Sequence, residues 1–92
     1  MTGEVPAGFV VTPHAAGEMR RRGIDASFVR QVLTAPGQRL AVRPGRVVLQ
    51  SQVEIEGKWY LIRVFVDVDL EPAEVVTAYR TSKIAKYWSS GE

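Results

Sequence analysis

The sequence predicts an α+β domain in which two N-terminal helices pack on a four-stranded antiparallel sheet. Two observations carry this. Up to Gly37 the apolar residues recur with a helical period between capping signals, whereas from Gln38 the period changes to two. Three reverse-turn signals, Pro44-Gly45, Glu56-Gly57 and the acidic stretch Asp67 to Glu74, then divide the remainder into a meander. A length of 92 residues suits one domain with one core, and no repeat or linker interrupts it.

Met1 to Gly8 has no periodicity and is expected to be a loose end. Phe9 to Val11 is a short apolar run compatible with an edge strand. Thr12-Pro13 starts the first helix, since a threonine side chain accepts from the orphan amides and proline suits the first helical position. This helix should run to about Arg22, with Ala15 and Met19 inward and Glu18 placed to pair with Arg22 one turn on. Gly23 ends it.

Asp25 caps the second helix, and Ile24 before it can pack on Val29 as a hydrophobic staple. Phe28, Val29, Val32 and Leu33 form its apolar stripe, and Ala35-Pro36-Gly37 stops it. In the second predicted strand Val47, Leu49, Val53 and Ile55 mark one face. The third, Lys58 to Val66, is apolar on both faces and belongs at the sheet centre. The last, around Val75 to Tyr79, places Val75, Thr77 and Tyr79 on one face by simple alternation. Ser82 to Trp88 is compatible with a short terminal helix.

Composition narrows the chemistry. With 46% hydrophobic and 24% charged residues, the chain is of the ordinary globular type. No apolar run approaches the roughly 20 residues that span a bilayer, and nothing resembles a secretory signal. No membrane association and a cytoplasmic location are expected. The absence of cysteine excludes disulfides, thiolate catalysis and cysteine zinc sites, and one histidine excludes a His-rich metal site. Chemistry without a metal or cofactor is expected. The formal charge of +2 is unevenly spread: acids gather in Asp67 to Glu74, while arginines and lysines stand nearly free of them.

The candidate site residues are those that RNA cleavage requires: a base for the ribose 2′-hydroxyl proton, donors for the phosphorane and an acid for the leaving oxygen. His14 falls on a helix first turn, where exposed amides favour an anion. Arg63 sits in the middle of the most apolar strand, and Thr77, Tyr79 and Arg80 lie on the last one. Arg20, Arg21, Arg22, Lys83, Lys86 and Tyr87 are candidate nucleic-acid contacts. Plain alternatives stand beside each: a capping histidine, a solvated arginine face, an Arg63 ion pair with Glu54 or Asp67, and strand formers at Thr77 and Tyr79. Trp59, Tyr87 and Trp88 are either stacking platforms or core aromatics.

His14-Ala15, Met19 and Arg22-Gly23-Ile24, together with Val76-Thr77-Ala78-Tyr79, resemble the DUF4258 family, whose pattern runs His-Ala-x-x-Arg-Met-x-x-Arg-Gly-Ile and later Thr-x-Tyr. The resemblance covers about Thr12 to Trp88. The ending from Arg80 to Trp88 also resembles those of some bacterial polymorphic-toxin RNase domains. It implies a RelE/BrnT-like toxin fold, a metal-independent endoribonuclease acting on RNA, and a cognate antitoxin or immunity protein as partner. It favours His14, Arg22, Thr77 and Tyr79 as motif positions. The chain departs from the pattern at Glu18, where the family has an arginine. The competing expectation is a non-catalytic member of the same fold that binds RNA or a protein.

Overall fold

The computed structural model describes residues 6–90. Its elements are β1 (Phe9–Val11), α1 (Pro13–Arg21), α2 (Ala26–Thr34), β2 (Gln38–Arg43), β3 (Arg46–Ile55), β4 (Lys58–Asp67), β5 (Ala73–Thr81) and α3 (Ile84–Tyr87). Each helix starts where its capping residue stands. The Ala15 amide donates to Thr12 Oγ1 at 3.1 Å, and the Ser27 amide to Asp25 Oδ1 at 2.8 Å. Gly23, with φ of 67°, takes the left-handed conformation in the turn between α1 and α2.

The sheet order is β1-β5-β4-β3-β2, with β4 at the centre as its two apolar faces require. The expected four-stranded antiparallel sheet is therefore corrected to a five-stranded mixed one. β1 runs parallel to β5, Phe9 opposite Ala73 and Val11 opposite Val75, which gives backbone partners to part of an otherwise open edge. Of the expected loose end, Pro6 to Gly8 is instead tied down: the Phe9 amide donates to Pro6 and the Ala73 amide to Gly8. Met1 to Val5 lie outside the described residues. The final helix is also shorter than expected, since Lys83 is bonded through its amide to Thr81 Oγ1 and Trp88 returns to extended backbone.

Glu56 and Gly57, both at positive φ, make the two-residue turn that matches hairpin twist between β3 and β4. A bulge interrupts the β4–β5 ladder: Phe65 pairs with Thr77 and Val66 with Val75, so Val76 is the extra residue. It reverses the side-chain parity, and this corrects the expected common face of Val75, Thr77 and Tyr79. Val75 shares its face with Ala78 and Arg80, while Thr77 and Tyr79 lie on the other, opposite Phe65 and Arg63.

The two faces carry different layers. α1 packs against β5 and α2 against β4 and β3. Beneath them, Ala15, Met19, Val29, Val32 and Leu33 meet Val47, Leu49, Ile62, Val64, Val66 and Ala78 in the main core. Ile24 and Val29, the predicted staple, belong to it. On the reverse face Val48 and Leu61 are also buried, and α3 and Trp88 lie over this side; Gly37 is close enough to Trp88 that an added Cβ would stand 3.0 Å from its ring. No helix among the described residues is long and apolar enough to cross a membrane.

Candidate active site

β5 is the seam between two groups of candidate residues. Its pairing with β1 ends at Val75, so among the described residues no strand flanks Val76 to Thr81 on the outer side. The Arg22 guanidinium takes one backbone carbonyl of this stretch, donating from Nη1 to Ala78 at 2.8 Å and to Thr77 Oγ1 at 3.3 Å. Arg22 can do this because it caps α1, which lies along β5.

Glu18 is the hub of the first group. It accepts a hydrogen bond from the Thr77 hydroxyl, and its Oε1 lies 3.4 Å from Arg22 Nη1. Its other oxygen is 3.1 Å from His14 Nε2 and 3.9 Å from Arg21 Nη2. One helical turn separates His14 from Glu18 and Glu18 from Arg22, which stacks all three on one face of α1. The Thr77 hydroxyl, followed by Arg22, His14 and Arg21, holds the Glu18 carboxyl below its ordinary range. Glu18 is only 14% exposed, whereas the His14 imidazole is 70% exposed. A fixed, ionised carboxylate thus faces one nitrogen of an accessible histidine, and the other nitrogen makes no hydrogen bond to the described residues.

The second group occupies the α3 side. Arg63 Nε donates to Gln50 Oε1 at 2.8 Å and Nη1 to the Tyr79 hydroxyl at 2.7 Å. Gln50 is fully buried and donates in turn to Gln38 Oε1 and to the Tyr87 carbonyl. The guanidinium lies 4.4 Å from the Tyr87 ring centroid and 5.3 Å from that of Phe65. The ion pair with Glu54 or Asp67 is not formed: Asp67 pairs with Arg46, at 2.6 Å, and one amide, one phenol hydroxyl and three aromatic rings accommodate Arg63 instead. No buried polar side-chain atom among the described residues lacks a partner, so Arg63 Nη2, which makes no hydrogen bond, reaches solvent.

The five expected catalytic residues therefore fall into separate sets. His14 and Thr77 share Glu18; Arg63 and Tyr79 bond each other across the sheet face covered by α3. Arg80 is on the opposite face from Tyr79, with its guanidinium 5.0 Å from the Tyr60 ring centroid. The arginine run splits likewise: Arg21 and Arg22 turn to Glu18, whereas Arg20 lines a groove with Val11, Ala16, Met19 and Ile24. Lys83 is exposed. Lys86 lies 5.3 Å from the Tyr87 ring, and its ammonium is the chief cause that lowers the Tyr87 phenol. Trp59 is exposed, while Tyr87 and Trp88 are half-buried.

Glu18 and Gln50 hold these two groups together, and neither is a sequence candidate for the site. Glu18 is legible in the sequence only as a helical partner of Arg22. Gln50 shows one signal, a lone amide after the apolar run Val47-Val48-Leu49. Among the described residues no three His, Cys, Asp or Glu side chains converge as a metal site. Compared with known proteins, the chain matches no family model, no curated protein and no solved structure.

Proposed function

We propose that this protein is a metal-independent endoribonuclease of the toxin type that cleaves RNA through the ribose 2′-hydroxyl, with His14 as the general base. The observation that carries this reading is the His14–Glu18 pair, 3.1 Å apart at the open segment of β5. With a carboxylate facing Nε2, the neutral imidazole keeps its proton there and offers the Nδ1 lone pair to substrate. Nδ1 takes the 2′-hydroxyl proton, the 2′-oxygen bonds to phosphorus, and the bond to the 5′-oxygen breaks. That oxygen leaves with a proton from water, giving a 2′,3′-cyclic phosphate and a 5′-hydroxyl. Arg21 and Arg22 stand on the same helix end to balance charge on the phosphorane.

The DUF4258-like pattern supports the same assignment, since His14, Arg22 and Thr77 are three of its motif positions and meet at Glu18. It extends the reading to a RelE/BrnT-like fold and to a cognate antitoxin or immunity protein as partner. The test is incubation of purified protein with RNA in EDTA, with product ends identified chemically. Wild type should leave cyclic phosphates, and His14→Ala should lose about 10²- to 10⁴-fold in rate. Cleavage unchanged in His14→Ala overturns the assignment. Salt-sensitive RNA binding without cleavage would instead favour a non-catalytic binding module, a reading supported by the mutual bonding of Arg63 and Tyr79.

A further inference from the structure

Lys58, Tyr60 and Arg80 make a second cationic cluster, on the sheet face that carries α1 and α2. Lys58, Tyr60 and Ile62 alternate on one face of β4, and Arg80 pairs opposite Ile62 on β5. The Tyr60 ring has Lys58 Nζ at 5.5 Å from its centroid and Arg80 Cζ at 5.0 Å. Neither cation has an acidic partner: the ion pairs among the described residues are formed by Glu18 and Asp67. The nearest register partners of Lys58 and Tyr60 on β3 are Ile55 and Val53, both apolar. Glu54 is opposite Trp59 and so belongs to the other face.

Two like charges held beside one ring repel each other, and the ring offsets only part of that cost. An anion between them removes it. The third donor is at hand, because the Tyr60 hydroxyl makes no hydrogen bond to the described residues and, being no buried orphan among them, reaches solvent. An ammonium, a guanidinium and a phenol with unused donors are a suitable set for phosphate oxygens. The cluster also continues the proposed cleavage site. Arg80 lies two residues beyond Ala78, whose carbonyl Arg22 holds, and on the same face; that is about 7 Å along the strand.

We infer that Lys58, Tyr60 and Arg80 form a phosphate subsite for the backbone of a single-stranded nucleic acid, flanking the phosphate at His14. The inference rests on the RNA reading above and specifies its substrate as a strand several nucleotides long. The test uses a short oligonucleotide with 2′-deoxy sugars, which binds and is not cut, titrated against folded protein at several salt concentrations. Lys58→Ala should weaken binding at low salt and lower the slope of log K against log salt by about 0.7, the value for one single-strand phosphate contact. Lys58→Arg should restore the slope. Wild-type binding that is salt-dependent but unchanged in both affinity and slope in Lys58→Ala overturns the subsite and leaves the RNA reading standing. Wild type that neither binds the oligonucleotide nor cleaves RNA overturns both.

Discussion

Replacing Gln50 by leucine should destabilise the fold more than any surface change, and the cost should depend on Arg63. Gln50 is fully buried and accepts from Arg63 Nε at 2.8 Å while donating to Gln38 at 2.8 Å and to the Tyr87 carbonyl at 3.1 Å. Leucine fills similar space and bonds none of them. A hydrogen bond to a charged group contributes about 1.5 to 3 kcal/mol and each neutral one about 1, with part recovered because the partners are only half-buried. A net loss of about 3 kcal/mol follows, which for a domain of this size lowers Tm by about 12 to 24 °C. Arg63→Met should cost about 2 kcal/mol, because it takes the donor from Gln50 Oε1 and from the Tyr79 hydroxyl oxygen. In the double variant neither residue leaves a partner for the other, so the combined loss should fall short of the sum by about 1 to 2 kcal/mol. Thermal melts of the four proteins provide the measurement. Additivity within about 0.5 kcal/mol, or a Gln50→Leu melt within about 4 °C of wild type, would refute the claim that these side chains act as one satisfied network.

The turns give a second comparison. Gly57→Ala meets no atom within 4 Å but retains φ of 81°, so it should cost about 1 to 2 kcal/mol from conformation alone. Gly45→Ala adds a clash with the Asp69 carboxylate at 2.6 Å and should melt lower still; equal Tm values would show that this contact yields freely. Stability should also fall in acid. The Thr77 hydroxyl lowers the Glu18 carboxyl and the Arg46 guanidinium lowers that of Asp67, so protonation in the unfolded chain precedes protonation in the fold. Their contribution is complete above the unfolded values, near pH 4, and disappears as pH drops through the lower folded ones. Urea midpoints at pH 7 and pH 3 should differ less in Glu18→Gln and Asp67→Asn than in wild type, and an undiminished difference in both would contradict these pairings.

Local chemistry made much of this fold legible. Thr12-Pro13 and Asp25 start their helices because capping involves only residues within one turn. Glu56-Gly57 makes its hairpin because turn conformation is a property of the dipeptide. The apolar faces of β3 and β4 followed from period two, and β4 lies at the centre as its two-sided apolarity requires. The strand parity of β5 was another matter. The Val76 bulge is set by how β5 pairs with β4, and no turn residue or glycine marks it in the sequence.

What the sequence by itself determined was the order of the elements, the core faces of α1, α2, β3 and β4, and the unusual placement of His14 and Arg63. Only the tertiary structure decided their company. It brought Thr77 to Glu18, the carboxylate that faces His14 Nε2. It gave Arg63 an amide and a phenol in place of a carboxylate, and it separated Arg80 from Tyr79. The physical reason is common to all three: helix caps and strand periods depend on neighbours along the chain, whereas these contacts depend on register and bulge, which arise when distant segments pair.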